Sequence, residues 1–139
     1  MIDLSGQKYL ITGSTSGIGL GVSRLLNELG ASVTLCGRNE LKLEEVRVGL
    51  LYPEKSEVLQ IDLLEEFSIK PFLKKSVLST GVYSGMIHCA GLDITKPFKL
   101  LKQKDFDQLN RLNITAPFQL SKELVGKSFF SPDGGSLIW

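Results

Sequence analysis

The sequence is short of several things, and each shortage removes a class of protein. No apolar run approaches the roughly 18 residues that span a bilayer, so a membrane span is not expected. The charges nearly cancel, 16 basic against 15 acidic residues for a net +1. That argues against a dominant nucleic-acid or membrane-surface role, which usually leaves a basic excess. The start, Met1-Ile2-Asp3-Leu4-Ser5-Gly6, has neither a basic opening nor an apolar stretch, so it does not read as a signal peptide. Cysteine is limited to Cys36 and Cys89, which show no metal or redox spacing. Both sit in apolar strand-like runs and are expected as buried free thiols in a reducing cytoplasm. What is there is ordinary and globular: 139 residues, 42% hydrophobic and 22% charged, about one domain in size and not the composition of a disordered or fibrous chain.

Short apolar runs alternate with helical patterns. Lys8–Thr12 reads as a strand that runs into Gly13. Ile18, Val22, Leu25, Leu26 and Leu29 fall on one helix face, which Gly30 ends. Ser32–Cys36 is a second strand. Leu41, Leu43, Val46, Val48 and Leu50 mark a second helix that Pro53 stops. Glu57–Ile61 is a third strand, residues 67–79 a third helix with Pro71 in its first turn, and Met86–Cys89 a fourth strand. A loop around Pro97 leads into a long helix over residues 102–126, and Ser136–Trp139 is a fifth strand behind the turn Pro132-Asp133-Gly134-Gly135. Strand and helix in alternation predict an α/β fold: one domain, residues 1–139, with a parallel sheet covered on both faces. The fifth strand has no crossover helix after it, so the sequence reads as an architecture cut on its C-terminal side.

The chemistry begins in the turn after the first strand, Thr12-Gly13-Ser14-Thr15-Ser16-Gly17-Ile18-Gly19. Glycines permit a tight turn and a close approach of pyrophosphate to backbone, and the adjoining helix offers unpaired N–H groups and a favourable dipole. Gly19 would let that helix pack close to the strand. The spacing is G-x-x-x-G-x-G, not G-x-G-x-x-G, and no G-K-[ST] comes after it as in a P-loop. About 20 residues beyond such glycines an acidic residue commonly binds the ribose 2′-OH of NAD. Here that place reads Cys36-Gly37-Arg38-Asn39. Arg38 brings a planar cation suited to phosphate, and no carboxylate stands there to repel one.

Thr12-Gly13-x-x-x-Gly17-Ile18-Gly19 resembles the cofactor motif of the short-chain dehydrogenase/reductase family, and the resemblance runs from Leu4 to Trp139. It implies a Rossmann-type doubly wound sheet, here of five strands in the order 3-2-1-4-5, with Gly13, Ser14, Ser16, Gly17, Ile18 and Gly19 at the cofactor. Gly37-Arg38-Asn39 is similar to the NADP-preferring members, with Ser14 adding a hydroxyl to the same phosphate. Asp62-Leu63 corresponds to the pair that lies along the adenine, though Asp62 also reads as an N-cap for the next helix. His88-Cys89-Ala90-Gly91 matches the family's N-N-A-G turn at Ala90 and Gly91, while His88 and Cys89 replace the two asparagines. His88, the single histidine, has no carboxylate or nucleophile at readable spacing and is read as structural.

Phe106, Leu109, Asn113, Ala116 and Leu120 share one helical stripe, which turns an amide toward the core, where an unpartnered one costs roughly 1–3 kcal/mol. Pro117, four residues on, removes the N–H that the Asn113 carbonyl would accept, so a kink is expected. The resemblance makes Asn113 the family's catalytic-site asparagine, whose carbonyl holds a water leading to a catalytic lysine. The family's Ser and Tyr-x-x-x-Lys are not present: residues four after Tyr9, Tyr52 and Tyr83 are Gly13, Ser56 and Ile87. The resemblance therefore implies an NADPH-dependent enzyme moving a hydride between the nicotinamide and a small-molecule carbonyl or alcohol, with a 3-oxoacyl group as one candidate substrate. A cytoplasmic homo-oligomer is expected, with no metal, nucleic acid or membrane partner, and these 139 residues alone are expected to be inactive. The basic run Lys96, Lys99, Lys102 and Lys104 reads as a solvated face or, more sharply, as a contact for an acidic partner such as an acyl carrier protein. The rival reading is a non-catalytic dinucleotide-binding or interaction module.

Overall fold

The computed structural model describes all of residues 1–139. Five parallel strands form one sheet in the order β3-β2-β1-β4-β5, as expected: β1 Lys8–Thr12, β2 Ser32–Gly37, β3 Ser56–Gln60, β4 Gly85–His88 and β5 Ser136–Ile138. Consecutive residues of a strand point to opposite faces, and the core obeys that alternation. Leu10, Cys36 and Met86 pack beneath α3 (Lys70–Thr80) and α5 (Ala116–Leu124), joining Leu73, Leu120 and Leu124. Ile11, Val33 and Leu35 face the other way with Leu43 of α2 (Glu40–Val48), and Val22 and Leu26 of α1 (Gly17–Glu28) pack against them. Each face of the sheet is thus helix-covered, as parallel sheets require.

Three helices differ from the periodicity. In α1 the fully buried residues are Gly19, Ser23 and Asn27, while Ile18 and Leu25 of the expected apolar face are exposed. Small residues let the helix sit hard against β1: a Cβ on Gly19 would stand 2.2 Å from the Gly13 carbonyl oxygen. Asn27 tolerates burial because its amide donates to the Tyr52 carbonyl at 3.0 Å and accepts from the Tyr52 N–H at 2.8 Å. In α2, Gly49 comes after the last helical residue and Pro53 instead opens a short 3-10 turn.

The long helix is two helices, α4 (Gln103–Asn110) and α5, joined by a π turn at Arg111–Thr115 in which the Ala116 N–H reaches back to the Arg111 carbonyl. Pro117 lies in the first turn of α5, so the expected break is present. The expected stripe, however, does not cross it. A π turn inserts a residue and rotates the next helical segment by about 100° relative to a continuous helix. Ala116, Leu120 and Leu124 are buried, but Phe106 and Asn113 are exposed. No helix is long and apolar enough to cross a membrane.

Candidate functional site

Strand order reverses between β1 and β4, and the C-terminal ends of β1 to β4 open there into a cleft of about 390 Å³. That is where doubly wound sheets bind ligands. Four turns line it: Gly13 and Thr15–Ile18, Cys36–Arg38, Ile61–Leu64, and Cys89–Leu92, with Leu112 of the π turn. Of the residues singled out in the sequence, Gly13, Ser16, Gly17, Ile18, Arg38, Asp62, Leu63, Cys89, Ala90 and Gly91 come together here.

The glycine turn divides its labour. Gly13, at φ +67°, lies so close to the β4 turn that a Cβ would stand 2.8 Å from the Ala90 nitrogen. Gly19 does not line the cleft; it seats α1 on Gly13. Gly17 has φ +53° with nothing within 4 Å of where its Cβ would be, so open space faces it. Ser16 is the N-cap of α1 but its side chain caps nothing. The first-turn N–H groups of α1, which have no acceptor within the helix, are left for a ligand.

Ser14, expected at the phosphate, does not line the cleft. It is fully buried, its hydroxyl donating to the Ile11 carbonyl at 2.6 Å and accepting from the Cys36 N–H at 3.2 Å. It staples the turn to β1 and β2 and cannot reach a phosphate; Thr15, next in the chain, lines the cleft instead. Arg38 is exposed at the end of β2, no ion pair engages its guanidinium, and it borders both the main cleft and a shallower one shared with Asn39, Glu40 and Gln60. Asn39 is turned to the helix, its side chain accepting from the Lys42 N–H at 3.0 Å as the N-cap of α2. Asp62 is exposed and accepts from the Leu64 N–H at 3.0 Å. It is not the N-cap of α3, which starts eight residues later at Lys70; the Ile69 N–H there donates to Glu123 of α5 at 2.7 Å.

The β4 turn is held from both sides. Thr12 Oγ1 accepts from the Cys89 and Ala90 N–H groups, each at 3.1 Å. Asn113, expected to face the core, reaches out instead: its amide donates to the Leu92 carbonyl and accepts from the Leu92 N–H, each at 3.0 Å. It lies in a second, more open cleft beside Gly91, Asp93 and Trp139 rather than in the main one. His88 is half-buried between Thr12 and the Leu112 carbonyl, in keeping with a structural role. Cys36 is a buried free thiol; Cys89 is free but only partly buried, and burial still pushes its thiol up. Lys96 leaves the basic run, bound through Nζ to both carboxylate oxygens of the buried Asp105 at 3.0 Å. No group of three His, Cys, Asp or Glu side chains is placed to hold a metal.

The site therefore has an uncapped helix N-terminus, open space at Gly17 and an unpaired guanidinium at one end. Those donors suit a phosphorylated dinucleotide. The short chain dehydrogenase family profile matches residues 7–139. A 3-oxoacyl-[acyl-carrier-protein] reductase of Rickettsia prowazekii is 34% identical over 127 residues, 91% of this chain and 50% of the relative. A glucose 1-dehydrogenase of Gluconobacter oxydans is 30% identical over 87% of this chain and 46% of its own length. A short chain dehydrogenase from Shigella flexneri, solved in complex with NADP, superposes with TM-score 0.86 at 28% identity, covering 99% of this chain and 59% of that one. The chain belongs to the short-chain dehydrogenase family. It spans about half the length of the curated relatives it matches.

Proposed function

We propose that the cleft binds NADP(H) and that this chain is the cofactor-binding part of an oxidoreductase acting on a carbonyl or alcohol carbon. The observation that carries the choice of NADP over NAD is the unpaired Arg38 at the end of β2, with no carboxylate among residues 34–38. Arg38 would take the 2′-phosphate, the α1 N-terminus at Ser16–Ile18 the pyrophosphate, Asp62 the adenine, and Ala90 and Gly91 the ribose. When bound, the cofactor supplies the hydride. This chain's residues bind and orient it, and Asn113 holds the floor beside it. A 3-oxoacyl thioester is the substrate suggested by the reductases among its relatives. A cytoplasmic location and a homo-oligomeric state are part of the same reading, the latter supported by exposed apolar residues: Phe106 of α4, Ile114 of the π turn, Phe118 of α5 and Val125 just after it.

Titration of NADPH into the unmutated protein and into Gly17→Val tests the site. Valine at φ +53° is strained and its branches fill the open space before the α1 N-terminus. Binding should be lost while the fold is kept. A folded Gly17→Val that binds NADPH normally would remove the turn as the phosphate site.

A further inference from the structure

The cleft's β4 wall hangs from two clamps, Thr12 on one side and Asn113 on the other, and one side chain joins them. His88 contacts the Thr12 hydroxyl through Nδ1 at 2.9 Å and the Leu112 carbonyl through Nε2 at 3.1 Å. Leu112 precedes Asn113 in the π turn. A carbonyl only accepts, so Nε2 must carry the hydrogen. Thr12 Oγ1 already accepts from the Cys89 and Ala90 N–H groups, which uses both its lone pairs, so its own hydrogen goes to Nδ1. Every donor and acceptor in the chain of bonds is used once, and only with a neutral ring.

We infer that His88 is a proton-sensitive positioning residue: its neutral Nε2–H form locks the Cys89–Leu92 wall of the cleft, and protonation at Nδ1 loosens that wall and weakens binding there. A second ring hydrogen would face an oxygen with no lone pair to spare. Either Thr12 releases the Cys89 or Ala90 N–H, or the ring leaves Leu112. The first route frees the turn that touches Gly13, the second the π turn that carries Asn113. Burial pulls the imidazole below its ordinary value, the Leu112 carbonyl offsetting part of the effect. Few charges stand near enough to oppose this. The thiols of Cys36 and Cys89 are pushed up by burial and stay neutral. Asp93 shares the more open cleft with His88 but is exposed. Arg111, before Leu112, turns away to the Glu65 carbonyl and Gln119.

The claim about binding rests on the reading of the cleft as a dinucleotide site; the claim about the ring does not, and the tests separate them. As the single histidine, His88 gives one imidazole signal in nitrogen-edited NMR. It should be the Nε2–H form at about pH 8 and should titrate below the ordinary 6.5. A folded value below the unfolded one means its stabilisation is present above 6.5 and fades as pH falls toward the lowered value. His88→Asn keeps an acceptor and a donor without a titrating ring, so it should melt with a flatter acid profile than the unmutated protein. NADPH affinity of the unmutated protein should fall about threefold or more beyond that of His88→Asn between about pH 8 and pH 5.5. That comparison cancels the titration of the ligand's own phosphates. His88→Ala should bind weakly at both values. An Nδ1–H tautomer, a ring titrating at or above 6.5, or identical acid melting profiles for the two proteins would overturn the clamp. Identical pH dependence of binding would overturn its link to the cleft. Absence of NADPH binding by the unmutated protein at about pH 8 would overturn the dinucleotide reading, with the ring and melting results still deciding the clamp.

Discussion

Replacing Gly19 with alanine should reverse the usual sign of a glycine-to-alanine change in a helix. In an exposed helix interior that change stabilises by about 1 kcal/mol, because alanine loses less backbone entropy. At Gly19 the new Cβ would stand 2.2 Å from the Gly13 carbonyl oxygen, 2.6 Å from its carbon and 3.0 Å from the Thr12 oxygen. All three are backbone atoms, so no flexible side chain can yield; α1 or the glycine turn must move by about an ångström. Overpacking of this kind costs about 1–3 kcal/mol, and a clash with unyielding backbone puts Gly19→Ala at the upper end. Gly17→Ala is the control. It meets no atom within 4 Å, but at φ +53° a non-glycine residue carries roughly 1–2 kcal/mol of strain. Thermal unfolding should rank the proteins as unmutated, Gly17→Ala, then Gly19→Ala, and NADPH binding should fall in Gly19→Ala because the Gly13 carbonyl is displaced. A Gly19→Ala protein as stable as the unmutated one would refute the close seating of α1 on β1.

Two further outcomes concern residues outside that turn. Lys8 and Glu57 form an ion pair at 2.9 Å across one face of the sheet, with Thr34 and Tyr83 also bonded to the carboxylate at 2.7 and 3.1 Å; Lys8→Met should cost about 1–3 kcal/mol in chemical denaturation, because it takes the cation from a half-buried carboxylate that keeps only its hydroxyl partners. Burial pushes the Glu57 carboxyl up, but hydrogen bonds from Ser76, Thr34 and Lys8 outweigh it and hold it below 4.5, so its stabilisation is present above that value and lost on further acidification; Glu57→Gln should flatten this acid branch, and an unchanged branch would contradict the assignment. A chain verified by mass as these 139 residues should show no NADPH oxidation with ketones or 3-oxoacyl substrates, since it holds no Tyr-x-x-x-Lys to donate a proton; turnover above background would show that another residue serves as the acid.

Strand positions are legible in the sequence to within a residue or so: β1 and β2, buried on both faces, read as short apolar runs bounded by turns, while the half-buried β3 and the exposed β5 are marked by their place in the strand–helix alternation. The strand order comes from the family resemblance, not from the apolar pattern. The glycine turn is equally legible, since its spacing and its place between strand and helix constrain each other. What the sequence conceals is side-chain commitment. Ser14 has the right type and place for a phosphate contact, but only the fold shows its hydroxyl spent on Ile11 and Cys36. The buried face of α1 departs from its apolar periodicity because close approach favours glycine and serine over larger apolar residues. The Asn113 stripe breaks because helical periodicity cannot be extrapolated through a π turn. Thr15 and Leu112 in the cleft carry no sequence signal beyond their neighbours, and the clamp at His88 depends on a hydrogen bond to a carbonyl 24 residues away.

The most direct test of the account is the affinity of the unmutated protein for NADPH against NADH, by titration calorimetry. A charge-assisted contact from Arg38 to the 2′-phosphate contributes about 1.5–3 kcal/mol, which is tenfold or more in affinity. NADPH should bind at least that much more tightly, and Arg38→Asp should abolish or reverse the preference. Equal affinities for the two cofactors would contradict the assignment of the cleft.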